Sequence, residues 1–424
     1  MNRRVVITGI GVVAPNAVGL EDFRAALREG RSGIRFIQQL ADLNFACQIG
    51  GIPPDFTEIR SKYFDHEKLM SINDNIGYAS VAAVDAWRDA GFHFSEGDGQ
   101  VDWDTGAILG SGIGGMDTIA ERVVPMVKDG KTRRMGSRIV EQVMNSGTSA
   151  RVGGLLGLGN QVTSNSSACS TGTEAIIESM WRIRTGRAKR MLAGGSEGAS
   201  PFIWAGFDAM RVIARKYNDC PDQGSRPLSA TANGFVPGAG AAVLVLEDLE
   251  TALLRGSNIY CEIAGGAVNS GGQRNGGSMT APNPEGVQRC ICRAINDAGI
   301  TPDDIDAING HLTATFADPS EVKNWSEALE RDSSRFPIIQ STKSMIGHCL
   351  GAAGAIESAA VAIQIKEGFL HPSINCEDVH PEIEEFSDKI PRNCTQFPDL
   401  KIVAKSSFGF GDVNSCLIFR KWQP

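Results

Sequence analysis

The sequence predicts an α/β protein in which one β/α unit occurs twice and the elements stack in layers. Two observations carry this reading. Glycine supplies 49 of the 424 residues while aromatic residues make up only 7%, a balance suited to many tight strand–helix connections rather than to a helical bundle. Short segments also return in chain order at separations of roughly 200–210 residues, about half the chain. Arg88-Asp-Ala-Gly-Phe92 returns as Asn296-Asp-Ala-Gly-Ile300, and Ala107-Ile-Leu-Gly110 as Ala307-Ile-Asn-Gly310. Met191-Leu-Ala193 with Ser196 and Gly198 returns as Ile402-Val-Ala404 with Ser407 and Gly409. The break falls near Glu247–Ile259, which divides the chain into halves 1–250 and 251–424. A chain of this length with 42% hydrophobic residues can bury a large core in both.

The elements follow in order. VVITGIGVVAP, from Val5, reads as a first strand entering a turn; the arginines before it mimic a signal peptide, but Thr8, Pro15 and three glycines interrupt the apolar run. Leu20–Arg28 has a helical pattern, Arg31–Lys68 is mixed, and Ser71–Gly91 is a helix closed by Gly91 as C-cap. Thr105–Gly115 is a strand with a glycine-rich turn. Gln161–Arg187 begins with a β-prone run, passes through small polar residues to Cys169, and continues with Ala175, Ile176, Ser179, Met180 and Ile183 at helical spacing. Its counterpart in the second half is Pro337–Lys366, where Ile338-Ile339 leads through polar residues to a helix beginning near His348.

These two turns are the expected two-part active site, facing each other across a pseudo-twofold axis. A helix N-terminus directs free N–H groups and partial positive charge at Cys169, which biases the thiol toward thiolate, the form that acts as a nucleophile. The surrounding Ser166, Ser167, Ser170, Thr171 and Thr173 make a poor apolar wall, against the alternative of an inert packed cysteine. His348, and His311 just after a strand, are expected as neutral imidazoles. Lys343 supplies a fixed positive charge with Glu357 as its partner. His66, His93, His371 and His380 are read as structural.

Other chemistries fit less well. Gly110-Ser-Gly-Ile-Gly-Gly115 follows a strand in the manner of a dinucleotide loop, but no second strand ending in an acidic residue follows. Gly194-Gly-Ser-Glu-Gly198 imitates the nucleophile turn of a hydrolase, with Ser196 as the competing nucleophile, yet the next segment is a poor helix. The net charge of −8 argues against a general nucleic-acid or membrane-surface binder. No stretch of 18 apolar residues suggests a membrane span. No zinc or calcium spacing is present. Ten cysteines without a CxxC pair read as reduced thiols of a cytoplasmic protein.

Together the Cys169 turn, His311 with Thr313 and Thr315, STKSMIGH with Lys343 and His348, and SFGFG with Phe408 resemble the elongating β-ketoacyl-acyl-carrier-protein synthases of the thiolase fold, from Arg4 to Phe419. The resemblance implies two duplicated halves in an αβαβα arrangement and decarboxylative condensation of an acyl thioester with malonyl carrier. It implies that Cys169 takes the acyl chain, that His311 and His348 assist decarboxylation and stabilise the enolate, and that Lys343 organises them. It further assigns an oxyanion hole to the backbone N–H groups of Cys169 and Phe408, a gate to Phe408, pantetheine binding to Thr313 and Thr315, and the acyl pocket to Ile113. Carrier docking falls to Lys62, Lys68, Arg133, Arg134, Arg211 and Arg215, no metal or organic cofactor is expected, and a dimer is favoured.

The sequence departs from the family pattern in places. His311-Leu-Thr-Ala-Thr315 stands for His-Gly-Thr-Ser-Thr, and Gly411-Asp-Val-Asn414 for Gly-Gly-Thr-Asn. The segment from Arg226 to Phe235 is altered, and an Asp-x-x-His before Met279 is missing. Because Leu312, Ala314, Asp412 and Val413 flank the pantetheine channel or the gate, they are expected to change which acyl carriers fit, as in a specialised polyene or polyketide synthase. The remaining alternative, a non-catalytic chain-length partner subunit, usually lacks the cysteine.

Overall fold

The computed structural model describes residues 3–94 and 99–423. The first half contributes strands β1 (Val5–Ala14), β2 (Thr105–Gly110), β3 (Val162–Thr163), β4 (Arg190–Glu197) and β5 (Gly240–Asp248). The second contributes β6 (Cys261–Ser270), β7 (Ala307–Asn309), β8 (Ile338–Gln340), β9 (Ile402–Gly409) and β10 (Val413–Arg420). Their spatial order is β8-β7-β9-β10-β6-β1-β5-β4-β2-β3, with the short strand Ala17–Val18 attached to β1.

Counted outward from the centre, each half has its strands in the order first, fifth, fourth, second, third. Pairing type repeats too: β1–β5 and β5–β4 are antiparallel while β4–β2 and β2–β3 are parallel. β6–β10 and β10–β9 are antiparallel while β9–β7 and β7–β8 are parallel. The halves join where Val5, Val6 and Ile7 of β1 meet Ile263, Glu262 and Cys261 of β6. Every sequence echo falls on equivalent elements of this pattern.

The main helices are α1 (Asp74–Asp89), α2 (Gly147–Leu156) and α3 (Thr171–Arg184) in the first half, with α4 (Pro284–Asp297), α5 (Asp318–Leu329) and α6 (Ala353–Glu367) in the second. The Asp-Ala-Gly echo has a structural cause. Asp89, closing α1, accepts a hydrogen bond from the Ile10 amide of β1 at 2.8 Å, and Asp297, closing α4, accepts one from the Gly266 amide of β6 at 2.9 Å. Helix α1 starts at an Asn73 cap rather than at Ser71, and it ends before Gly91, whose φ is +82°.

Helices α3 and α6 form the central layer, packed against strands of both halves in one core with Ile7, Ile263, Leu244 and Leu417. Helix α6 is buried from Ala353 to Ile365, as expected of an element covered on all sides. The two helices touch through a symmetric pair of glycines. A Cβ on Gly172 would lie 2.7 Å from the Ala355 amide nitrogen, and one on Gly354 would lie 2.2 Å from Thr173 Oγ1. No larger residue allows this approach, which brings the two turns that precede the helices together.

Candidate active site

Cys169 sits in a 3₁₀ turn, Ala168–Ser170, that feeds α3. His348 precedes the equivalent 3₁₀ turn, Leu350–Ala352, so α6 itself begins five residues later than the sequence suggested. Both turns are entered through a left-handed residue, Ala168 and Leu350, each at φ +48°. The folded chain places His348 Nε2 3.0 Å from Cys169 Sγ. The Leu350 amide donates to His348 Nδ1 at 3.2 Å, which leaves the proton of a neutral ring on Nε2, directed at sulfur.

His311 stands edge-on to His348, ring centroids 5.4 Å apart, and Phe408 stands edge-on to His311 at 6.1 Å. The His311 Nδ1 is buried and finds no partner among the described residues. The backbone around it is fixed by α5. Glu321 accepts the His311 and Leu312 amides at 2.6 and 2.7 Å, and Asp318 accepts those of Thr313 and Ala314 at 2.9 and 3.0 Å. Burial raises the Glu321 carboxyl to about 7, against the pull of the two amides.

Lys343 and Glu357 form the expected ion pair, both fully buried. The sequence reading missed a second cation there. Lys405 Nζ lies 2.7 Å from the other oxygen of Glu357 and donates to Ser407 Oγ at 2.6 Å. Its signal was a lone lysine inside the apolar strand IVAKSSFGF. Glu197 was also missed, although it adjoins Ser196. It accepts bonds from the amides of Gly112, Ile113 and Gly351 and from the Ser111 hydroxyl, at 2.8–3.2 Å. The Glu197 side chain therefore occupies the Gly112 and Ile113 amides that a phosphate in this glycine-rich turn would need, which argues against a dinucleotide loop.

Electrostatics correct one expectation. Burial pushes the Cys169 thiol up to about 11, outweighing the lowering by Lys343 and by the Phe410 backbone N–H. The resting thiol is therefore protonated at neutral pH, and the helix N-terminus alone does not make a thiolate. Burial, then the charges of Lys343 and Lys405, holds both imidazoles well below their usual range; His348 further lowers His311. They are neutral, as expected.

The backbone donors near Cys169 bear on the expected oxyanion hole. Phe408 is still within β9, opposite Asn414, whereas Phe410 lies beyond the strand end and its N–H reaches Cys169 Sγ. The backbone N–H directed at the Cys169 sulfur is thus that of Phe410, while the Phe408 ring stands beside His311.

Cys169, His311, His348, Phe408, Thr313 and Thr315 line one cavity of about 490 Å³. The two threonine hydroxyls are 3.0 Å apart. Ile113 does not line it and packs instead with the cluster holding Leu350 and Trp204. Leu312, Ala314, Asp412 and Val413 are not among the described lining residues either. Leu312, at φ +26°, is buried with Ile308, Val322 and Trp325, so the expected crowding of the channel does not occur. Ser196 is buried in β4 and donates to the Asn75 carbonyl at 2.6 Å, which removes it as a nucleophile. Arg211 and Arg215 are exposed and follow Met210 and Val212 at the cavity lining. Lys62 and Lys68 are paired with Glu58 and Asp65, and Arg133 and Arg134 lie on an exposed turn. One ligand atom each of Cys169, His311 and His348 lies within 4.8 Å of the others, a donor set that a soft divalent ion could also take.

Residues 2–252 match the family described as Beta-ketoacyl synthase, N-terminal domain, and residues 260–377 match Beta-ketoacyl synthase, C-terminal domain. The chain belongs to the β-ketoacyl synthase family. Its similarity to curated synthases runs along its full length. It is 36% identical to 3-oxoacyl-[acyl-carrier-protein] synthase 2 of Rhizobium meliloti, covering 99% of both chains. It is 35% identical to the chloroplastic synthase I of Arabidopsis thaliana, covering 100% of this chain and 87% of that one. Among solved structures it resembles the ishigamide ketosynthase/chain length factor, at TM-score 0.89 and 28% identity over both full chains. It also resembles a type II polyketide ketosynthase solved with its acyl-carrier protein, at TM-score 0.87, 30% identity and full coverage of both chains. The thiolase-type fold and the condensing-enzyme family are thus shared with this ketosynthase. Among the described residues no helix is long and apolar enough to cross a membrane.

Proposed function

We propose that this synthase elongates an acyl chain held on Cys169 with a two-carbon unit from a malonyl group on acyl carrier protein. The observation that carries the reading is the meeting of one thiol and two neutral imidazoles in a single cavity, backed by a buried lysine. In the first half-reaction the Cys169 thiol first gives up its proton to solvent; the thiolate then attacks the acyl carbonyl, the Phe410 N–H stabilises charge close to sulfur, and the carrier's C–S bond breaks to release pantetheine thiolate, which takes up a proton from solvent. In the second, malonyl carrier enters and loses carbon dioxide. His311 and His348 donate hydrogen bonds to the thioester oxygen as it becomes an enolate, and neutral rings suit that task because they hold donors without attracting a proton. The carbanion then attacks the Cys169 thioester, giving 3-oxoacyl carrier and releasing the cysteine thiolate, which regains a proton.

Thr313 and Thr315, which line the cavity, are the proposed holders of the pantetheine arm. Arg211 and Arg215 are the candidate docking cations that sit beside the cavity lining, and attraction to an acidic carrier there should weaken with salt. The reading needs no metal or organic cofactor, and the free cysteines support a proposed cytoplasmic location. A homodimer is supported by the end position of β3 in the sheet and by the exposed side chain of Trp103, which lies against Gly159 just before it. The test is intact-mass detection of an acyl adduct after incubation with defined acyl carriers. Cys169→Ala should abolish the adduct and condensation, and Ser196→Ala should keep both; loss confined to Ser196→Ala would overturn the assignment.

A further inference from the structure

The mechanism above uses one buried lysine, and the protein holds two. Lys405 is completely buried, and its ammonium touches Glu357 Oε2, the Ser406 carbonyl and Ser407 Oγ. Lys343 occupies the other oxygen of the same carboxylate. Two cations on one carboxylate leave a positive excess in a water-poor site, which Glu321 offsets only in part because its carboxyl is held near 7. Burying unmatched charge is costly. A structural ion pair needs only one lysine.

The position of Lys405 connects the two halves of the site. On one side it bonds Glu357 and so adjoins Lys343, on the turn that carries His348. On the other it holds Ser407, whose hydroxyl bonds Thr173 of α3 at 2.8 Å and whose carbonyl accepts from Ser170 at 3.1 Å, next to Cys169. Ser407 also immediately precedes Phe408. Burial lowers the Lys405 ammonium from the usual lysine range and Lys343 lowers it further, while Glu357 on α6 and Glu321 on α5 pull it back up; the imidazoles of His311 and His348 both feel its charge.

Resting on the condensation reading, we propose that Lys405 is a positioning residue for decarboxylation: a second fixed cation that favours the malonyl carboxylate and the enolate, and that ties the Ser407–Phe408 strand end to Glu357. It touches no reacting atom. Its removal should spare acyl transfer to Cys169, in which no carboxylate takes part, and slow the malonyl half-reaction.

The test compares Lys405→Gln, which keeps a hydrogen-bond donor, with Lys405→Ala. Two readouts separate the half-reactions: the rate of acyl-adduct formation on Cys169 by intact mass, and carbon dioxide release from malonyl carrier. Both variants should load acyl groups at near the wild-type rate and lose about 10- to 100-fold in carbon dioxide release, less than the roughly 10²–10³ expected for a direct oxyanion donor. Methylammonium should restore part of the release in Lys405→Ala and none in Lys405→Gln, where the space is filled. Wild-type release in Lys405→Gln would overturn the proposal. Equal loss of loading and release in both variants, without rescue, would also overturn it and make Lys405 purely structural. Failure of the wild-type protein to form the Cys169 adduct would instead refute the condensation reading itself.

Discussion

The turn before α3 and the turn before α6 share one backbone and carry opposite chemistry. Ala168 and Leu350 have the same φ of +48°, and Gly172 and Gly354 follow them at the same interval. In this register the counterpart of Cys169 is Gly351, and that of His348 is Ser166. The strands that deliver the site diverge likewise: β4 and β9 align Gly194 with Lys405 and Glu197 with Phe408. The first half supplies a nucleophile and a carboxylate that clamps backbone, while the second supplies the imidazoles, the lysines and the aromatic ring. Duplication fixed where side chains converge. Substitution on that frame decided what each turn does.

The largest effect that tests this contrast is on stability. Glu357→Ala would leave Lys343 and Lys405 buried without a carboxylate, at a cost of about 3–5 kcal/mol. Ser196→Ala in the first half removes one buried hydrogen bond, worth about 1 kcal/mol. Urea midpoints should separate the two variants clearly; equal shifts would erase the distinction between a half built on buried ion pairs and a half built on hydrogen bonds.

A second effect separates the turns by pH. Because the Cys169 thiol is held up to about 11, its thiolate fraction, and with it acyl loading, should climb about tenfold per pH unit between 7 and 10. Carbon dioxide release by preloaded enzyme should show no such climb. The imidazoles are held below their usual range, so release should also persist as pH falls to about 6.5, where a free histidine becomes half-charged. Parallel profiles for the two half-reactions would contradict separate control.

The smallest effect concerns the unusual residue beside His311. Leu312→Gly relieves backbone strain worth about 1–3 kcal/mol but loses side-chain burial worth about 2–5 kcal/mol. A modest net destabilisation follows, with unchanged preference among acyl carriers of graded length. A shifted preference would bring back the channel-crowding idea.

Much of the fold was legible because its signals are local. Strand, polar turn and amphipathic helix follow one another around Cys169, and the Asp-Ala-Gly echo marks a helix end bonded to a strand in each half. Cys169, His311, His348, Lys343 and Glu357 came together as expected. What escaped was set by distant partners. Glu197 and the amides of its clamp are 84 to 154 residues apart in sequence, and no periodicity announces such a bond. The Phe410 donor depended on where β9 ends. The thiol was misjudged because a helix N-terminus is visible in sequence, whereas burial, the larger influence, belongs to the whole fold.

The central claim is that the two halves divide the reaction, with acyl transfer on the Cys169 turn of the first and decarboxylation on the imidazoles of the second. It is tested most directly by measuring both half-reactions on His311→Ala and His348→Ala. Each variant should still show the Cys169 acyl adduct by intact mass, while carbon dioxide release from malonyl carrier falls by about 10²–10³, as for loss of a donor to a developing oxyanion. Undiminished carbon dioxide release from both variants would contradict the account.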